Sequence, residues 1–145
     1  MAPKGNNGMG IFSVEFQVAN YGDLVLAERG QLAADQVRRK TISGIVDSGA
    51  VRLVLPEALA KELGLTLGDK INVRYADGRR VQRRQAKGVH VEIMGRQGAF
   101  TAIIEPKRET ALVGALVLED FDLLVDCKHQ RLMPRNPDGP LYEIE

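Results

Sequence analysis

The sequence predicts an all-β domain with one or two short helices, and three observations carry that expectation. Apolar and polar residues alternate at period two in several separate runs, the pattern of half-buried strands. Turn-forming glycine, proline, asparagine and aspartate punctuate those runs. The chain has no tryptophan and only 5% aromatic residues, so valine, leucine, isoleucine and alanine must build most of the core. That set leans towards strands.

One domain is expected from 145 residues, a length suited to a single compact core. The first ten residues hold three glycines and no periodicity, which predicts a mobile tail at 1–10 ahead of a domain at 11–145. Val14, Phe16 and Val18 alternate with Glu15 and Gln17 as a first strand. Between Asn20 and Lys40 the pattern is ambiguous: Leu24 to Ala27 fits a strand, whereas Gln31 to Val37 suits an excursion or a short helical turn. Thr41 to Val46 reads as a strand that runs straight into Asp47-Ser48-Gly49-Ala50.

Val51 to Leu55 is apolar apart from Arg52, after which Pro56 opens a short helix and Gly64 closes it. Leu55, Leu59 and Leu63 share one face of that segment. Ile71, Val73 and Tyr75 alternate into Ala76-Asp77-Gly78-Arg79, a strong hairpin signal. Val89, Val91 and Ile93 form a further strand, Gly95 to Gly98 a turn, and Phe100 to Ile104 a strand that stops before Pro106. Ala111 to Leu118, Leu123 to Val125 and Leu132-Met133 complete the apolar segments, with no repeat of fixed period.

A net charge of +1 and a pI near 7.9 supply no global field that would draw nucleic acid or a membrane. Cys127 is the only cysteine, which excludes an intrachain disulfide and fits a reducing compartment. The longest apolar run falls far short of a bilayer span, so a cytoplasmic location is expected. Arg79, Arg80, Arg83, Arg84 and Lys87 cluster without aromatics for stacking, the composition of a solvated hairpin arm rather than a nucleic-acid surface. Cys127 and His129 read as a surface pair, and His90 with Glu92 lacks the further ligands zinc needs. No cofactor motif is present.

Of nine aspartates, only Asp47 precedes a small hydroxyl residue and a glycine, and it does so where an apolar strand ends. Partial burial there disfavours a carboxylate's charge unless something compensates, a common setting for functional acids. Ser48 can brace the loop through its hydroxyl. Gly49 permits a sharp turn.

Taken together with later segments, the chain resembles the retropepsin-like aspartic proteases, in particular small bacterial members that work as dimers. Ile45 to Ala50 is similar to the family's catalytic strand and loop. Leu55-Pro56 and the helix to Leu65 are similar to the segment after that loop in bacterial members, and Leu112-Val113-Gly114 resembles the second signature, leading into a helix at Leu116 to Phe121. Ala76, Asp77 and Gly78 occupy the place of the substrate-covering flap. The resemblance implies a closed barrel, an acid-protease half that pairs with a second copy, and a site made of two Asp47 carboxylates sharing one proton, because like charges so close do not both ionise. It also implies a peptide or protein substrate and no cofactor or metal. Val51 and Arg52 stand where viral members carry acidic residues, and Ala115 where they carry arginine. The reading from another class is a dimeric peptide-binding or assembly module with the same fold and no catalysis.

Overall fold

Residues 12–145 are described by a computed structural model. The predicted tail at 1–10, and Ile11, lie outside them. Strand β1, Phe12–Asn20, buries Phe12, Phe16 and Val18 while Ser13 and Glu15 face solvent, as its alternation requires. Asn20 then caps helix α1, Tyr21–Glu28, its side chain accepting the Asp23 N–H at 3.0 Å. Leu24 to Ala27 is therefore helical, and a 3₁₀ turn at Ala34–Gln36 precedes β2, Arg39–Val46. Next come β3, Leu53–Pro56, α2, Glu57–Glu62, and β4, Leu67–Arg74. Val51 and Arg52 lie ahead of β3 in a loop.

The longest strand, β5, Arg80–Ile93, turns through Met94 and Gly95 into β6, Arg96–Glu105. Both turn residues have positive φ, 53° and 80°, as tight two-residue hairpins demand. The turn expected at Gly95 to Gly98 is thus shorter and begins one residue earlier. After β7, Ala111–Val113, and α3, Ala115–Asp120, the hairpin of β8, Leu123–Asp126, and β9, Arg131–Pro134, is the last regular structure, and residues 135–145 follow it. Cys127 and His129 fall in that hairpin's turn, both exposed. Three short α-helices thus stand where one or two were expected.

Strand order β1-β2-β7-β3-β6-β5, with β5 pairing back onto β1, closes six strands into a barrel, and β4 hangs from the outer half of β5. The chain is mostly β with few short helices, the class its alternation predicts. Leu53, Leu55, Val89, Val91, Ile93, Val113, Val117 and Phe121 fill the interior at 1% exposure or less. Each such side chain contributes about 1.5–3 kcal/mol through burial.

Polar ties hold the excursion that the sequence leaves ambiguous. Asn20 Nδ2 donates to the Leu63 carbonyl at 2.9 Å, binding the start of α1 to the end of α2. Asp23 accepts from the Arg38 backbone N–H at 3.0 Å, from Nε at 2.8 Å and from the terminal guanidinium nitrogen at 3.0 Å. The Arg38 guanidinium beside it holds the Asp23 carboxyl below its usual range, against the opposing effect of burial. A depressed folded value adds stability that is present above the ordinary aspartate range, near 3.9, and is lost as pH falls through the folded value. Asp23→Asn is accordingly expected to cost about 1–2 kcal/mol at neutral pH, since Arg38 is half exposed and solvent screens the pair. Urea midpoints at pH 7 and in strong acid check it: the gap between wild type and variant closes on acidification.

Candidate active site

Val46, the last residue of β2, is 1% exposed, and Asp47 comes next, half-buried at the mouth of the loop. The loop cannot drift, because backbone bonds fasten it to the segment after β7. The Asp47 N–H donates to the Val113 carbonyl at 3.0 Å, the Ala115 N–H to the Ala50 carbonyl at 2.8 Å, and the Leu116 N–H to the Val51 carbonyl at 2.9 Å. β7 itself runs parallel to β2, with Ile45 opposite Leu112 and Val46 opposite Val113, and its other edge meets β3 at Val54. Leu112, Val113 and Gly114 are thereby brought against Asp47, Ser48, Gly49 and Ala50.

Gly114 leaves no room for a side chain between the two segments. A Cβ on it would lie 2.5 Å from the Arg52 carbonyl oxygen and 2.7 Å from that of Ala50. Within the loop, Asp47 Oδ1 accepts the Gly49 N–H at 3.0 Å, a tight aspartate turn. Oδ2 has no hydrogen-bond partner among the described residues, and neither has the Ser48 hydroxyl. None of three surface cavities of about 230, 330 and 480 Å³ is lined by Asp47. Beside it, Val51 is 64% exposed and Leu116 47%.

The tip at Ala76, Asp77 and Gly78 is a closed turn: the Gly78 N–H donates to the Tyr75 carbonyl at 2.9 Å, and Asp77 accepts the Arg79 N–H at 2.9 Å. Its link with the Asp47 loop runs through the hairpin's base. Arg52 donates from its guanidinium to Gln85 Oε1 on β5 at 2.8 Å, a contact that no local sequence pattern signals. That bond sets which side of the hairpin faces the loop, since Val81, Arg83 and Gln85 share one face of β5. On that side Tyr75 and Arg83 both bond Glu105, at 2.5 and 2.8 Å, pinning the hairpin to β6. Burial first, then the Glu105 carboxylate, push the Tyr75 hydroxyl up, so it remains a proton donor.

No grouping of three or more histidine, cysteine, aspartate or glutamate side chains able to hold a metal exists among the described residues. No helix among them is long and apolar enough to cross a membrane.

Residues 34–123 match the aspartyl protease family, and the chain belongs to that family, in its retropepsin-like branch. None of the curated proteins compared with it matches. Among solved structures it is similar to EIAV protease complexed with the inhibitor HBY-793, at 20% identity over 55% of this chain and 76% of that one, with a TM-score of 0.45.

Proposed function

We propose that the chain is one half of a homodimeric aspartic endopeptidase, with a site made of Asp47 from each copy. The observation that carries this reading is the Asp47 carboxylate, fixed by cross-tied backbone, with one oxygen held by Gly49 and the other without a hydrogen-bond partner among the described residues. Family membership agrees with it. Val51 and Leu116 also favour pairing, because apolar side chains exposed together beside a functional group lose unfavourable hydration when a second copy covers them.

In the paired site one Asp47 is ionised and takes a proton from a water held between the carboxylates. The oxygen so freed attacks the scissile carbonyl, to which the protonated Asp47 donates a hydrogen bond. The resulting gem-diol collapses with proton transfer to the leaving amine, and the peptide C–N bond breaks. No bond to the protein forms, so neither a nucleophilic serine nor a metal takes part. Ala76, Asp77 and Gly78 cover the substrate, which lies extended between hairpin and loop.

The test is cleavage of an unbiased peptide library from acidic to neutral pH at increasing protein concentration. Activity per chain is expected to rise with concentration and level off where sedimentation finds dimer. Constant activity per chain from a monomer would sink the shared site, and folded dimers that cleave nothing would move the reading to a peptide-binding module.

A further inference from the structure

Residues 69–87 hold seven basic and two acidic side chains, a net +5, so with +1 for the whole chain the remainder carries −4. The charge is sorted by face as well as by segment. On β4 and β5 the cross-strand partners are Lys70 with Arg84, Asn72 with Gln82, and Arg74 with Arg80. All six are exposed, on the face turned away from Val81, Arg83 and Gln85 and hence away from the Asp47 loop. The result is two cationic rungs with an amide rung between them.

Like charges directly opposite across strands are destabilising. No carboxylate among the described residues lies within ion-pairing distance of Lys70, Arg74, Arg80 or Arg84. Arg84 makes one neutral bond, to the Gly68 carbonyl at 3.1 Å. Protection of an edge strand against aggregation would account for Lys70 and Arg74 on β4. It does not account for a second cation set directly opposite each of them, Arg84 across from Lys70 and Arg80 across from Arg74, since one charge per rung already protects an edge.

We propose that this outer face docks an extended acidic peptide segment flanking the cleaved stretch of a substrate, one carboxylate on Lys70 and Arg84 and another on Arg74 and Arg80. The rungs are four residues apart, about 13 Å at the rise of a strand. Carboxylates at positions i and i+4 of an extended peptide point the same way at that same spacing, and the amide rung between them bonds backbone. Lys70, Gln82 and Arg84 also line a cavity of about 230 Å³ that Arg83 and Glu57 border and whose apolar wall is Leu67, Ile104 and Pro106, so an apolar residue beside the acidic one fits it and a second carboxylate does not. A nucleic acid fits less well: the face has no aromatic ring for stacking, and a polyanion longer than the arm meets the net negative remainder.

The substrate role rests on the protease reading, so binding and cleavage are measured separately. For binding, a labelled peptide with glutamates four residues apart is titrated against the full chain carrying Asp47→Asn, with a glutamine analogue and an oligonucleotide of equal charge alongside. The acidic peptide is expected to bind about tenfold more tightly than its analogue, and Arg80→Gln with Arg84→Gln to abolish the difference. That double variant keeps or raises its thermal midpoint, because it relieves repulsion. For cleavage, appending the acidic segment to a cleaved peptide lowers KM at constant kcat in wild type, and the double variant loses that gain while cutting the unappended peptide normally. Equal affinity for acidic and neutral peptides overturns the docking site even if neutral peptides are cut, and tighter oligonucleotide binding overturns it in favour of nucleic acid. Arginine-dependent binding without any cleavage upholds the docking face and removes the protease reading instead.

Discussion

Asp47→Asn is expected to reduce peptide cleavage by at least about a thousandfold, the scale of a lost general base, with fold and dimer intact. Asparagine keeps the shape of the side chain and retains an oxygen to accept the Gly49 N–H. The position is half-buried and joins no ion pair among the described residues, so the stability change should stay within about 1 kcal/mol. What disappears is the proton acceptor, and Asp47 is the one aspartate in the sequence that precedes a small hydroxyl residue and a glycine. Mixing sharpens the test. Excess variant chain should lower the activity of wild type further than dilution alone, because most wild-type copies then sit in dimers with one Asp47. Full activity in a folded variant would assign the chemistry elsewhere, and residual activity that mixing leaves untouched would argue against a shared site.

The strands were legible because their alternation is local. Val14-Phe16-Val18 and Ile71-Val73-Tyr75 need only the pleat to decide which side is buried. The closure was not, since nothing in a three-residue strand such as β7 says that it slips between β2 and β3; distant packing decides that. Helix α1 had a readable start in Asn20 and Asp23, but Gly22 and Val25 dilute its helical propensity. Its real supports, Leu63 and Arg38, lie far along the chain. Arg96 is the sharpest difference. Read as part of a polar turn, it is 8% exposed, and its guanidinium donates to the carbonyls of Phe121, Asp122 and Asn136 at 2.6, 2.9 and 2.5 Å. A buried cation with so many acceptors organises the chain's last described segment, and only the folded chain supplies those acceptors. The Asp47 loop was readable because its motif is contiguous, whereas Arg52 and Gln85, 33 positions apart, were not.

Gly114→Ala is expected to cost about 3 kcal/mol, the upper part of the range for forced overpacking, and to lower the thermal midpoint by about 10 °C in a chain of this size. The demand is steric. Gly114 has φ −92° and ψ −177°, extended backbone open to any residue, so alanine meets no conformational penalty of its own. Its methyl would instead press on the carbonyl oxygens of Ala50 and Arg52 at 2.7 and 2.5 Å. The Ala50 carbonyl cannot retreat freely, for it accepts the Ala115 N–H, and the Val51 carbonyl is tied to Leu116 in the same way. Relief must come from moving the loop that carries Asp47, and a displacement near 1 Å in a reacting group costs about a hundredfold in rate. Gly95→Ala is the control: nothing lies within 4 Å of its added methyl, but φ is +80°, so in the turn between β5 and β6 it should cost about 1 kcal/mol through backbone strain and leave the Asp47 loop undisturbed. Thermal melts of the two variants beside wild type, with cleavage assayed well below each midpoint, separate the effects. An unchanged midpoint for Gly114→Ala would show that the loop has slack there, and Gly114 would then have no part in holding Asp47 in place.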